Sequence, residues 1–156
     1  MGLFSKKKDK KEEGANENIS LWRVDKGGTW GRLNMDASDT MLDTFVKKLE
    51  LMNFGDVVSF FCVKPSEDEV QEFEQRNSVK MQWFRILKIE FSANTPDDQT
   101  YTVQNDIVIL SINDGLRQEI IEKARWYIAS VQQYKYYHEI GTRPGLWFAK
   151  EWINRE

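Results

Sequence analysis

The sequence has one cysteine, Cys62, and one histidine, His138. A single cysteine cannot form a disulfide within the chain, and one cysteine with one histidine supplies too few ligands for a zinc site. No apolar run approaches the roughly 20 residues that a membrane-spanning helix requires, and the apolar start Met1–Phe4 is too short for a secretory signal. These absences predict a soluble cytoplasmic protein, or one that resides within a large particle such as a virion.

Residue groupings that carry enzyme chemistry are also missing. The chain has no Ser–His–Asp set, no metal-ligand spacing and no glycine-rich phosphate loop. The turn Asn113–Gly115 precedes a predicted helix, but it has a single glycine, and Asp114 would repel an anion. Cys62 lies in an apolar segment, which favours a buried side chain over a catalytic thiol. We therefore predict a protein that is not an enzyme and that uses no cofactor or metal.

Aromatic residues are abundant, at 13% of the chain, and six residues are tryptophans. Aromatic side chains bury large areas and are enriched at contacts between proteins, so an excess favours interfaces as well as a core. The net charge of −3 provides no overall positive field that would draw the chain to nucleic acid. At 156 residues the chain is long enough for one domain with a substantial core.

Residues 1–18 are predicted to be a flexible charged tail. Lysines dominate residues 6–11, and the glutamates and small polar residues that follow offer little apolar surface to offset the entropy of ordering. One alternative is a peripheral membrane contact, in which two apolar residues insert and the lysines meet anionic lipid. The residues of that contact would be Leu3, Phe4, Lys6, Lys7 and Lys8. Another is an arm that a partner protein binds.

Residues 19–35 have the pattern of a β-hairpin. Gly27–Gly28 can adopt the positive φ angles of a two-residue turn, and alternating apolar strands flank it. A turn at this position would place Trp22 opposite Leu33. The hairpin would then start the domain.

The same register would place Arg23 opposite Arg32 and next to Trp30. Two like charges directly across a ladder are mildly unfavourable, so the three residues could form a patch for an anionic partner such as nucleic acid. A solvated face on which the arginines pair locally with Asp25 is the alternative.

The middle of the chain predicts core elements. Apolar residues recur at helical spacing over residues 41–52, and residues 67–75 have the composition of a short acidic helix. In residues 57–63, apolar side chains occur at both odd and even positions, so a strand here would have apolar residues on each face. This is typical of a strand covered on both faces. Residues 79–91 and 101–112 predict a long hairpin, which either projects as an arm for subunit contacts or curves through a bulge.

Residues 107–140 combine an apolar strand with the longest helical pattern, from Leu116 to about His138. At 100° per residue, Trp126 and Tyr137 fall on the side opposite the apolar stripe. The C-terminal segment 146–153 is predicted to be a short apolar helix or turn that either covers this side or docks on a neighbouring subunit. Its large aromatic residues are Trp147, Phe148 and Trp152. Together with Trp126 and Tyr137 they form the candidate protein interface.

These patterns predict an α+β protein with a mainly antiparallel sheet, built from an N-terminal hairpin, a central strand and a long hairpin, and a long C-terminal helix on one face. Residues 19–156 would be one domain that ends in the aromatic segment 141–156. The predicted function is a non-catalytic structural or adaptor subunit that contacts other protein subunits. The alternatives are a single-stranded nucleic-acid-binding accessory protein and a peripheral membrane protein.

Overall fold

The computed structural model describes residues 18–130 and 140–149. These residues form an α+β structure, as predicted, with ten strands and three helices. The strands are β1 (Ile19–Lys26), β2 (Thr29–Trp30), β3 (Leu33–Ala37), β4 (Val57–Phe61), β5 (Lys80–Trp83), β6 (Ile86–Phe91), β7 (Thr102–Gln104), β8 (Ile107–Ile112), β9 (Ile140–Gly141) and β10 (Leu146–Ala149). The helices are α1 (Asp39–Glu50), α2 (Glu67–Asn77) and α3 (Asp114–Ala129).

The strands form two sheets rather than one mainly antiparallel sheet. In sheet I, β1 pairs with β5 along one edge and with β2 and β3 along the other, and β10 and β9 continue beyond β3. Sheet II has the order β4-β6-β8-β7. Each sheet is mixed, because β10 runs parallel to β3 and β6 runs parallel to β8. The predicted antiparallel character is therefore wrong for these two pairs.

The N-terminal hairpin turns where the sequence predicts it. Gly27 and Gly28 have φ angles of 67° and 90°, which only glycine adopts readily. The register shifts by one residue further along, however, so that Trp22 lies opposite Asn34 and not opposite Leu33. The Gly31 N–H donates to the Val24 carbonyl at 2.8 Å, and an extra residue is accommodated there as in a β-bulge.

Residues 80–91 pass from one sheet to the other. The Phe84 N–H donates to the Leu21 carbonyl in sheet I, at 3.0 Å, and the next N–H, of Arg85, donates to Asp106 beside sheet II, at 2.7 Å. The predicted long hairpin is wrong, since β6 pairs with β8 in parallel. The antiparallel hairpin is β7–β8, and Asn105 in its turn has a φ of 57°.

Helices α1 and α3 pack on each other and on the inner faces of both sheets, in a single large core. The Ser38 hydroxyl accepts the Met41 N–H at 3.0 Å and so caps α1, whose predicted apolar stripe is buried. The stripe of α3 is buried as well. This helix ends at Ala129, because Ser130 has extended backbone, so the predicted single helix to His138 is wrong.

The C-terminal aromatic segment is a strand where the structure describes it. Leu146–Ala149 pairs with β3 and β9, so the predicted short helix or turn is wrong for these residues. Tyr137, Trp152 and the tail up to residue 17, with its membrane-contact residues, lie outside the described residues. Within the described ranges, no helix is both long and apolar enough to span a membrane.

Candidate interaction surfaces

One face of sheet II lies against the core, and the other face points away from it. Along β4, β6 and β8, buried residues alternate with residues that reach solvent, which is the two-residue period of a strand. We call the outward side the open face. Its residues are Val57, Ser59 and Phe61 of β4, Ile86, Lys88 and Glu90 of β6, Ile107, Ile109 and Ser111 of β8, and Thr102 and Gln104 of β7.

An apolar row crosses the open face at one end. Phe61 lies opposite Ile86, and Ile86 lies opposite Ile107, so the three side chains are neighbours on adjacent strands. Phe61 is 74% exposed and Val57 is 50% exposed, whereas the two isoleucines are half-buried. Sheet faces that remain in water normally carry polar side chains, so this row is unusual for a solvated face.

A polar group with both signs of charge lies beside the apolar row. The Lys88 Nζ is 4.0 Å from the Glu90 Oε2, and the Ser111 hydroxyl donates to the Glu90 Oε1 at 3.1 Å. Both charged side chains are 40% exposed. They are therefore available to a second molecule as well as to each other.

Strand β4 also forms an edge of sheet II. The Cys62 N–H donates to the Arg85 carbonyl, and the Asp56 carbonyl accepts the Phe91 N–H, so these two residues direct their backbone toward β6. In an antiparallel ladder, every second residue directs its N–H and C=O groups away from the paired strand. The backbone groups of Val57 and Ser59 therefore lie at the outer edge of the sheet. Beyond this edge, the Val63 N–H joins β4 to Ile19 of sheet I at 2.8 Å.

The open face was not among the sites predicted from the sequence. Residues 57–63 were predicted to be a strand covered on both faces, yet the described part of the chain covers only one face. The sequence signal for this second face was the presence of apolar residues at both odd and even positions of the strand. The sequence pattern alone could not show that no described element of the chain packs on the second face.

The predicted interface residues Trp126 and Trp147 do come together. They line one groove with a volume of about 460 Å³, beside Lys123 of α3 and both residues of β9. Trp126 is 53% exposed, in agreement with its predicted place off the apolar stripe. Phe148 is different: it is fully buried within the chain, and its ring contacts Phe45.

Trp147 is held in place on both sides. Its ring lies over Gly141, where a Cβ atom would overlap it, and the guanidinium of Arg32 stacks at 3.9 Å from the ring centroid. Covering a strand glycine with a cross-strand aromatic residue protects the backbone of that edge. Trp147 therefore has a structural role in addition to any contact it makes with a partner.

The predicted patch of Arg23, Trp30 and Arg32 is not one surface. Arg23 stacks on Trp30, at 4.7 Å from the ring centroid, and donates its Nε–H to the Gln82 Oε1 at 2.8 Å. Arg32 lies on the other side of sheet I, because the bulge in β2–β3 turns it toward Trp147. The structure therefore keeps Arg23 with Trp30 and separates both from Arg32.

Cys62 is predicted to react slowly. Burial raises the pKa of its thiol from 9.0 to about 12, and the thiol donates to the Phe60 carbonyl at 3.7 Å. Since the thiolate is the reactive form, a disulfide reagent at pH 8 is expected to modify the folded chain at least about a hundredfold more slowly than the urea-unfolded chain. Equal rates in both states would contradict this assignment.

The same pKa difference predicts a direction for stability at alkaline pH. The unfolded thiol loses its proton near pH 9.0, whereas the folded thiol holds it up to about pH 12. The contribution of Cys62 to the free energy of unfolding is therefore constant below pH 9.0 and falls as the pH rises through this window. The variant Cys62→Ser serves as the control, because its hydroxyl does not titrate in that range.

Within residues 18–130 and 140–149, no three His, Cys, Asp or Glu side chains are grouped as a metal ion would require. No protein-family model, no curated protein and no solved structure matches the chain. The function proposed below therefore rests on the chain's own geometry.

Proposed function

We propose that the protein is a non-catalytic subunit of a protein assembly, and that the open face of sheet II is its contact surface. The observation that carries the proposal is the exposure of Phe61, at 74%, at the end of β4 and in one row with Ile86 and Ile107 of the same face. Large apolar side chains placed together on a sheet face favour a covering molecule.

Covering the apolar row would be favourable in water. Full burial of one large apolar side chain contributes roughly 1.5–3 kcal/mol, and the row offers Phe61 with Ile86 and Ile107 beside it. Strand β4 has apolar residues on both faces, with Ser59 the exception, which suits a strand that packs between two layers. A second sheet stacked on the open face would supply the missing layer.

The occupant that the open face supports is a second copy of the same face. A two-fold interface brings one surface patch against itself, so it requires that the patch be self-complementary. Lys88 and Glu90 meet this requirement, because a lysine on one protomer can pair with a glutamate on its partner. The face has fewer residues than the roughly 20–30 on each side of a typical stable interface, which favours a dissociation constant in the micromolar range.

The test is the native mass of the full-length chain by light scattering over a series of concentrations. The mass is expected to double with concentration, and Phe61→Glu is expected to raise the dissociation constant at least about a hundredfold, because it places a charge in the apolar row. Trp126→Glu is the matched control: it changes an exposed aromatic residue outside the open face and should leave the dimer intact.

Three further outcomes bear on the occupant. A wild-type chain that stays monomeric at every concentration would overturn the proposal, as would a Phe61→Glu dimer of unchanged affinity. A dimer that forms only after removal of residues 1–17 would assign the face to that segment of the chain instead of a second copy.

The alternative functions have less support. The nucleic-acid alternative relied on Arg23, Trp30 and Arg32 as one patch, and these residues lie on two sides of sheet I. The membrane alternative relies on residues 3–8, which lie outside the described residues.

A further inference from the structure

The outer edge of β4 has backbone groups with no neighbouring strand among the described residues. Val57, Ser59 and Phe61 direct their N–H groups to this edge, and all three residues are exposed. Within the described ranges, no strand continues sheet II beyond β4 and no carbonyl accepts these N–H groups. An open edge of this kind is a template for a further strand, and native proteins usually cover or block it.

The start of β1 lies at one end of this edge. Ile19 forms an isolated parallel bridge with Cys62, and the Val63 N–H donates to the Ile19 carbonyl at 2.8 Å. The side chains of both bridged residues pack in or against the main core. Because the bridge is parallel, an extended chain before Ile19 would run back along β4, from its last residue toward its first.

The bridge also fixes the register of such an extension. Two residues before the bridge, Glu17 would lie opposite Phe60, and four residues before it, Ala15 would lie opposite Val58. Phe60 is buried and Val58 packs against the main core, so both side chains of the extension would lie on the core side of sheet II. A small apolar residue such as alanine suits a place beside Val58.

The hydrogen-bonding groups of the extension would match those that the edge leaves open. In a parallel ladder, every second residue directs both its N–H and its C=O to the neighbouring strand. Glu17 would donate to the Ser59 carbonyl and accept the Phe61 N–H. Ala15 would donate to the Val57 carbonyl and accept the Ser59 N–H. This register therefore gives partners to both backbone groups of Ser59.

Charge agrees with this register and sets its limit. Lys48 of α1 is exposed, its Nζ lies 5.5 Å from the ring centroid of Phe60, and it forms no ion pair with a described residue. Opposite Phe60, the Glu17 carboxylate would lie on the same side of the sheet as this ammonium group. Glu13 would lie opposite Asp56, where two like charges are unfavourable, so the pairing would end at Ala15.

We propose that residues 15–17 pair with β4 as a parallel fifth strand of sheet II. The strand lies beside the open face and not on it, so the apolar row with Phe61 stays uncovered. An edge closed in this way cannot pair with the edge of another molecule, and a partner reaches sheet II only through its open face. This contact within one chain goes beyond the proposed dimer and does not depend on it.

The experiment is amide hydrogen exchange of the full-length chain, followed by NMR at a concentration at which the chain is monomeric. The N–H groups of Ser59 and Phe61 are expected to exchange at least about tenfold more slowly than in an unstructured peptide. The Val57 N–H, which points to the same edge but lies beyond the pairing, should exchange without protection. The N–H groups of Val58 and Phe60 bond to β6 and report that sheet II is folded.

Two proline variants of the full-length chain test the register. Glu17→Pro removes the N–H that would donate to Ser59, so the protection of the Ser59 and Phe61 amides is expected to fall at least about tenfold. Asn16→Pro is the matched control, because its N–H would point away from β4, where an edge strand tolerates proline. Both prolines favour extended backbone in the residue before them, which a strand already has.

Three results would overturn the proposal. They are unprotected Ser59 and Phe61 amides in the wild-type monomer, protection that survives Glu17→Pro, and equal loss of protection in Glu17→Pro and Asn16→Pro. All three are measured in the monomer, so failure here is distinct from failure of the dimer, which the native mass reports.

Discussion

Replacing Phe45 with alanine is expected to lower the free energy of unfolding by about 3–5 kcal/mol. Phe45 is fully buried on α1, and its ring contacts both sheets: the centroid of Phe60 in sheet II is 5.0 Å away and that of Phe148 in sheet I is 6.4 Å away. Alanine would leave a cavity at the point where helix and sheets meet. Urea unfolding followed by circular dichroism measures the change.

The matched control for this prediction is Phe61→Ala. It removes the same side chain from a position that is 74% exposed, so the monomer is expected to lose no more than about 0.5 kcal/mol. Both variants are compared at a concentration at which the wild-type chain is monomeric. A loss below about 1 kcal/mol for Phe45→Ala, or equal losses for both variants, would contradict the assigned core.

Arg117→Ala is expected to lower the free energy of unfolding by about 2–4 kcal/mol, which is large for an arginine. Its side chain, only 16% exposed, donates to the Leu49 and Met52 carbonyls at the end of α1, at 3.3 and 2.8 Å. The guanidinium also lies 4.2 Å from the ring centroid of Phe91. Alanine would leave the helix-end carbonyls without these donors and remove the stacking partner of Phe91.

Arg125→Ala is the control on the same helix. Arg125 also reaches across to α1, where it pairs with Glu50, but both side chains are exposed and the loss should stay below about 0.5 kcal/mol. Arg117→Lys should recover only part of the loss, because an ammonium cannot stack flat on Phe91 and donate to two carbonyls at once. If Arg117→Ala and Arg125→Ala lower the free energy of unfolding equally, the buried contacts of Arg117 stabilise the fold no more than an exposed ion pair does.

Elements with strong local signals could be predicted from the sequence. The apolar stripes of α1 and of α3 as far as Ala129 follow the helical period, and the Gly27–Gly28 turn requires the φ angles that glycine allows. The exposure of Trp126 followed from the same period. These features depend on neighbours within a few residues, which is the range that periodicity describes.

Features set by distant parts of the chain could not be predicted. The alternating run through residues 79–91 looked like one strand interrupted by Arg85, whereas the interruption marks the passage between two sheets. Trp83 consequently packs with Trp22 on the outer side of sheet I, and Leu87 packs in the main core. Leu146–Ala149 is too short for a period to distinguish a helix from a strand, and its pairing with β3 decides the question.

The candidate sites also depend partly on neighbours in the sequence and partly on distant parts of the chain. Arg23 stacks on Trp30, whereas the one-residue shift at Gly31 takes Arg32 away from that ring and toward Trp147. Phe61 could not be predicted as an exposed contact residue. An apolar residue in a strand indicates a buried side chain, but it does not indicate whether the same chain or another molecule buries it.

The parallel pairing of β3 with β10 has a consequence for how the protein is made. All five residues of β3 are buried, and one edge of that strand is completed only by Leu146–Ala149. A ribosome synthesises β3 before sheet II and the three helices, and β10 after them, so β3 has an unpaired edge while those elements are made. Sheet I therefore closes only once β10 has left the ribosome, after sheet II and the three helices have been made.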